Sequence, residues 1–99
     1  MNKQIIWSPS SEKDFEDILD YLSRKWSKNV AYQFIIKTEI LLNQIANNPK
    51  QFPIINKQLK VRKCVLTKHN SLYYKITTNH IEIIRIYDTR QNPNDLILK

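Results

Sequence analysis

The sequence predicts an α+β domain: a helical hairpin packed on a small, mostly antiparallel sheet, in the order β-α-α-β-β-β. Three observations carry this. Two amphipathic stretches of helical period follow one another with only a short break. Three β-favouring runs follow them, joined by short polar turns. One further β-favouring run precedes them. The 99 residues suffice for one domain, 1–99, around one modest core.

Lys3 to Trp7 reads as the first strand, with Ile5, Ile6 and Trp7 as β-favouring residues. Ser8 can cap a helix and Pro9 fits its first position, where no N–H is needed. Glu12, Asp14, Glu16 and Asp17 follow near the positive end of the helix dipole. Phe15, Ile18, Leu19, Leu22 and Trp26 then recur along one helical face. Trp7 and Trp26 are expected to be packing anchors.

Ser27-Lys28-Asn29 interrupts the pattern, and a second helix is expected from about Asn29 to Ala46. Its stripe is Ala31, Phe34, Ile35, Leu41, Leu42 and Ile45, with Thr38 in the same row. Asn47-Asn48-Pro49 ends it. The short link makes the two helices antiparallel neighbours. Residues 47–58 read as a loop whose apolar Phe52, Ile54 and Ile55 tuck against the core.

The three later strands are expected at Leu59–Leu66, Leu72–Thr77 and Ile81–Tyr87. In the second of these, Leu72, Tyr74 and Ile76 share one face, while Tyr73, Lys75 and Thr77 share the other. Asn70-Ser71 and Asn79-His80 supply the turns of a meander. Ile81, Ile83, Ile84 and Ile86 place apolar groups on both faces of the last strand, which marks a central strand covered on both sides.

Composition narrows the function. The chain contains no glycine, which removes glycine-rich phosphate cradles and the usual nucleophile elbow. No cofactor is expected. The single Cys64 sits among Val61, Val65 and Leu66 and reads as a small buried apolar residue. Cys64, His69 and His80 lack ligand-pair spacing, so no metal site is expected. Both histidines read as turn residues. There is no signal-peptide organisation and no long apolar run, so a cytoplasmic protein without a membrane role is expected.

The net charge of +7 is unevenly placed. Residues 1–49 carry six basic and six acidic groups. Residues 50–99 carry ten basic groups against Glu82, Asp88 and Asp95, and so hold the whole excess. That asymmetry fits a polyanionic partner, either nucleic acid or an acidic protein. Arg85 stands inside an apolar strand, which is costly unless the charge is paired. It is either a functional group or half of an ion pair, with Glu82 and Asp88 as candidate partners.

The element order, together with particular residues, resembles the RelE/ParE toxin superfamily of type II toxin–antitoxin systems, of the kind that serve in plasmid stabilisation. The resemblance runs from Trp7-Ser8-Pro9 and Asp14 to Ile18, through Ala31, Phe34 and Asn48-Pro49. It continues through Val61-Arg62-Lys63 and Lys68 to Ile76, and through Ile81 to Pro93. It implies growth inhibition, and a typically acidic antitoxin that wraps the toxin. Lys60, Arg62, Lys63 and Lys75 would meet that partner, with Tyr73 as an exposed ring on the same surface and with Arg85 and Arg90 as further contacts.

The resemblance leaves the target open. A ParE-like toxin would disable DNA gyrase by binding alone. A RelE-like toxin would cleave messenger RNA on the ribosome without metal, with Arg62, Arg85 and Arg90 holding phosphate and charge at the scissile bond. Such nucleases usually add a Tyr or His near the C-terminus, and the tail Gln91–Lys99 has neither. Tyr87 would have to serve instead. The missing residue favours the ParE-like reading. A third possibility is a non-toxic subunit that binds its antitoxin and represses its own operon.

Overall fold

The computed structural model describes residues 3–88, together with Leu96 and Leu98. Its elements are β1 (Gln4–Trp7), α1 (Pro9–Lys25), α2 (Lys28–Asn47), a single 3-10 turn (Pro49–Gln51), β2 (Ile54–Asn56), β3 (Val61–Val65), β4 (Asn70–Ile76) and β5 (His80–Asp88). The strands form one sheet in the order β1-β5-β4-β3-β2. β1 runs parallel to β5, and every other pairing is antiparallel. This is the expected α+β architecture, with the short β2 added at one edge.

α1 starts at the expected Ser8 cap, and α2 starts at Lys28, just before the expected Asn29, with Ser27 as its cap. The Ser8 side chain accepts from the Ser11 N–H at 3.0 Å, and the Ser27 side chain accepts from the Val30 N–H at 3.1 Å. Phe15, Ile18, Leu19 and Leu22 of α1 pack with buried Phe34, Leu41 and Ile45 of α2 on one face of the sheet. From the sheet, Cys64, Leu72, Tyr74, Ile81, Ile83 and Ile86 complete that core. Trp7 anchors the α1 end, its ring 5.2 Å from that of Phe15. Burial pushes the Cys64 thiol up to about 11, so it stays protonated and inert as a core residue.

Several expectations need correction. Trp26 is no anchor: it follows the last turn of α1 and is 68% exposed. The expected loop 47–58 contains β2, which pairs irregularly with β3. Within it Phe52 does tuck in, edge-on to Tyr74 at 6.4 Å, whereas Ile54 and Ile55 stay exposed. Leu59 and Lys60 belong to a turn rather than to a strand. Lys60 has φ 58°, a left-handed conformation that interrupts extended backbone. β3 therefore begins only at Val61.

The last strand carries a bulge that the sequence pattern did not reveal. Tyr73 faces Arg85 and Tyr74 faces Ile83, which leaves Ile84 as the extra residue. The bulge explains the run of isoleucines. Ile81, Ile83 and Ile86 join the helix-side core, while Ile84 joins Val61, Tyr73 and Tyr87 in a second buried cluster. Leu96 and Leu98 pack against that second cluster.

Candidate functional site

The bulge lies where β1 has run out, so the β5 edge there needs other partners. The start of α1 supplies them. The Ser8 N–H donates to the Ile83 carbonyl at 2.9 Å, and the Ser8 hydroxyl donates to the Ile84 carbonyl at 2.8 Å. The Ile86 N–H donates to Asp14 Oδ2 at 3.1 Å. The same carboxylate takes Arg85 in a two-pronged contact, Nε to Oδ2 at 2.7 Å and Nη2 to Oδ1 at 3.0 Å. The partner of Arg85 is thus Asp14, rather than the expected Glu82 or Asp88. Both side chains are mostly buried, 21% exposed for Arg85 and 15% for Asp14. The hydrogen bonds that Arg85 donates to Asp14 strengthen the guanidinium's hold on its proton. The Arg85 guanidinium carbon also lies 5.8 Å from the centre of the Tyr87 ring.

Arg62 is engaged in another way. Its Nη1 donates to the Phe52 carbonyl at 2.6 Å and to the Lys50 carbonyl at 3.1 Å. The Tyr74 hydroxyl donates to the Pro49 carbonyl at 2.6 Å. Together they tie the segment after α2 to the sheet. Burial lifts the Tyr74 hydroxyl to about 12, so it remains a donor.

The other expected residues scatter. Lys60 is exposed on its turn. Lys63 is half-buried and faces Tyr73 across the β3–β4 pair. Lys75 lies 3.8 Å from Glu82. Tyr73, expected to be exposed, is buried and only 6% exposed, as is Tyr87. Burial and the neighbouring Tyr87 raise the Tyr73 hydroxyl above its ordinary value. Arg90 and most of the tail fall outside the described residues. The structure therefore brings Arg85, Tyr87 and Tyr73 together on β4 and β5, with Lys63 across from Tyr73 and Lys75 further along β4, and leaves Arg62 and Lys60 apart from them. Asp14 is the residue whose importance sequence reasoning missed.

A groove of about 1070 Å³ opens between the helical hairpin and the end of the β4–β5 pair. Ile18, Leu22 and Phe34 line it, with Tyr21, Val30 and Ile40 exposed on its wall. Asp17, Lys37, His69 and Asp88 make its polar lining of mixed sign. Exposed apolar groups are thus gathered around a concavity. Among the described residues no group of three metal-ligating side chains occurs, and no helix is long and apolar enough to cross a membrane.

A helical hairpin on one face of a sheet of this order is also found in solved structures of other proteins. It superposes on a structure described as the chromosomal ParDE toxin–antitoxin system of P. aeruginosa, with a TM-score of 0.61 and 22% identity over 87% of this chain and 95% of that one. It likewise superposes on the YoeB dimer of Staphylococcus aureus, with a TM-score of 0.63 and 19% identity over 88% and 97% of the two chains. The DinJ–YafQ toxin–antitoxin complex of E. coli gives 0.62 and 18% over 91% and 96%. At these identities the likeness is one of fold. The sequence goes further. Residues 5–93 match the family described as the ParE toxin of the type II toxin–antitoxin system parDE, and the chain belongs to that family. No curated protein matches it in sequence.

Proposed function

We propose that this toxin acts by binding and inhibiting DNA gyrase in the cytoplasm, and that an acidic antitoxin neutralises it. The observation that carries the binding reading is the engagement of its arginines. Arg62 is spent on two backbone carbonyls and Arg85 on Asp14. A nuclease needs such groups turned toward a phosphate. A binding toxin can use them as structure. The family match over residues 5–93 adds to this reading. An antitoxin partner accords with the neighbours determined as toxin–antitoxin complexes, and the excess charge of residues 50–99 suits an acidic one.

Acute induction without antitoxin tests the target. DNA synthesis should stop first, with double-strand breaks, while protein synthesis continues. One observation favours the ribosome-dependent ribonuclease as a second reading, the closeness of Arg85 to the Tyr87 ring. Early loss of protein synthesis with cut transcripts would establish it. Full growth despite abundant folded protein would leave only the antitoxin-binding autorepressor.

Lys60 and Lys63 test the antitoxin's chemistry without touching the structural arginines. Changing both to glutamate should slow association at low salt by about tenfold or more, and should flatten its dependence on ionic strength. Unchanged stopped-flow kinetics would place the antitoxin on the helical groove instead.

A further inference from the structure

The helical hairpin carries apolar side chains that the core does not use. Tyr21 of α1 is 44% exposed and Ile40 of α2 is 55% exposed, both on the wall of the groove. Large apolar groups exposed together invite a protein cover. The charges beside them say which protein fits. Asp17 of α1 and Lys37 of α2 are exposed on the same groove. One carboxylate and one ammonium make a rim of mixed sign, which gives no advantage to a strongly acidic or a strongly basic partner. Such a rim complements a copy of itself. Residues 1–49 are also neutral overall in a chain of net charge +7. The hairpin is thus the part of the molecule least repelled by its own copy.

The spacing of these four residues suits a two-fold axis. Asp17 and Tyr21 are four positions apart on α1, and Lys37 and Ile40 are three apart on α2, so each pair shares a helix face. The helices run in opposite directions from the turn at Trp26 and Ser27. From Asp17 to Tyr21 the chain rises about 6 Å toward that turn, and from Lys37 to Ile40 it rises about 4.5 Å away from it. A two-fold axis across the hairpin reverses the direction of such a step. A register that sets Asp17 against Lys37 of a second copy therefore also sets Tyr21 against Ile40 of that copy, within about 2 Å. Each contact then occurs twice.

We propose that the free toxin pairs with a second copy of itself through this hairpin face, with Asp17 meeting Lys37 and Tyr21 meeting Ile40 across the axis. The contact is modest. α1 is 17 residues long, and two adjacent helices of about that length present a face of about 25 Å by 20 Å. That covers on the order of 500 Å² per copy, the lower end for a specific pair, and gives a dissociation constant in the micromolar range. Pairing covers the groove in the free protein, so any partner that needs the groove must first separate the copies. The inference does not rest on the gyrase reading.

Sedimentation equilibrium of the purified full chain without antitoxin, from about 1 to 300 μM, spans the range for such a constant. The wild type should pass from monomer to dimer. Asp17→Lys and Lys37→Asp should each weaken pairing by about tenfold or more, because each sets like charges together at both contacts. Mixed in equal amounts, these two variants should pair with each other as the wild type pairs with itself, because both contacts are then opposite in sign. A purely structural role for either residue gives no such rescue. Ile40→Ser should weaken pairing by about tenfold through lost apolar contact. The Lys13–Asp17 pair is exposed, so its loss should leave the fold intact, and melting temperatures check this for every variant. Should Ile40→Ser fail to fold, the charge reversals and their mixture decide alone. A wild type that stays monomeric overturns the inference and leaves the groove to a different protein. A dimer that ignores all three substitutions joins through another surface and overturns it too. Reversals that weaken pairing without rescue in the mixture overturn the two-fold register.

Discussion

Asp14→Ala should destabilise the fold by about 3–5 kcal/mol, the range for removing one partner of a buried ion pair. The carboxylate accepts three hydrogen bonds, two from Arg85 and one from the Ile86 N–H. Its loss strands a mostly buried guanidinium and frees a backbone donor at the bulge together. For a chain of this size the melting temperature should fall by on the order of 15 °C or more. Asp14→Asn keeps an acceptor for Ile86 and should cost less. Replacing both partners with apolar residues, Asp14→Leu with Arg85→Met, should recover much of the loss, since the desolvation cost of the pair goes with it. The exposed pairs Lys13–Asp17 and Arg24–Asp20 serve as controls. Their removal should shift stability by no more than about 0.5 kcal/mol. An Asp14→Ala melting curve close to that of the controls would show that the pair contributes nothing beyond a surface contact.

The same residue shows where sequence reading stops. Asp14 was legible as an acid in the first turns of a helix, because that depends on neighbours in the chain. Its bond to Arg85 spans 71 positions. It exists because β1 stops at Trp7 while β5 continues to Asp88, so that α1 takes over the β5 edge. No local period encodes that. Alternation did assign Leu72, Tyr74 and Ile76 to the core face, and the cap at Ser8 did start α1. These are short-range rules, and they held.

Failures came where a rule of period two was broken or where cover came from afar. The bulge at Ile84 shifts the face of every residue after it. Lys60 occupies a conformation usually left to glycine or asparagine, in a chain that contains no glycine, so nothing marked the start of β3. Tyr73 sat on the face opposite the helices, and its burial depends on its neighbours there and on leucines more than twenty positions later. The site was legible as a set of residue types. Which of them are committed to structure became visible only through their partners.

Tyr87→Phe separates a toxin that binds from one that cuts. The ring is buried beside Tyr73, and the Arg85 guanidinium lies over it at 5.8 Å. Phenylalanine keeps the packing and most of the attraction to the cation. It loses only the hydroxyl, whose hydrogen bonding is worth about 0.5–1.5 kcal/mol. Under the binding reading, growth inhibition should therefore weaken by less than about tenfold. Under the cleavage reading, the hydroxyl is the acid or base beside the last basic residues, because the sequence after it offers no other Tyr or His. General acid–base groups contribute about 10²–10⁴ in rate, so toxicity should collapse while folding persists. Toxicity is best scored as the inducer level that halves growth, at matched soluble protein and with the melting temperature measured for each variant. Arg85→Ala serves poorly for this comparison, because it also breaks the pair with Asp14 and confounds activity with stability. A folded Tyr87→Phe protein that no longer inhibits growth would reject gyrase binding as the mode of action and place the chemistry on RNA.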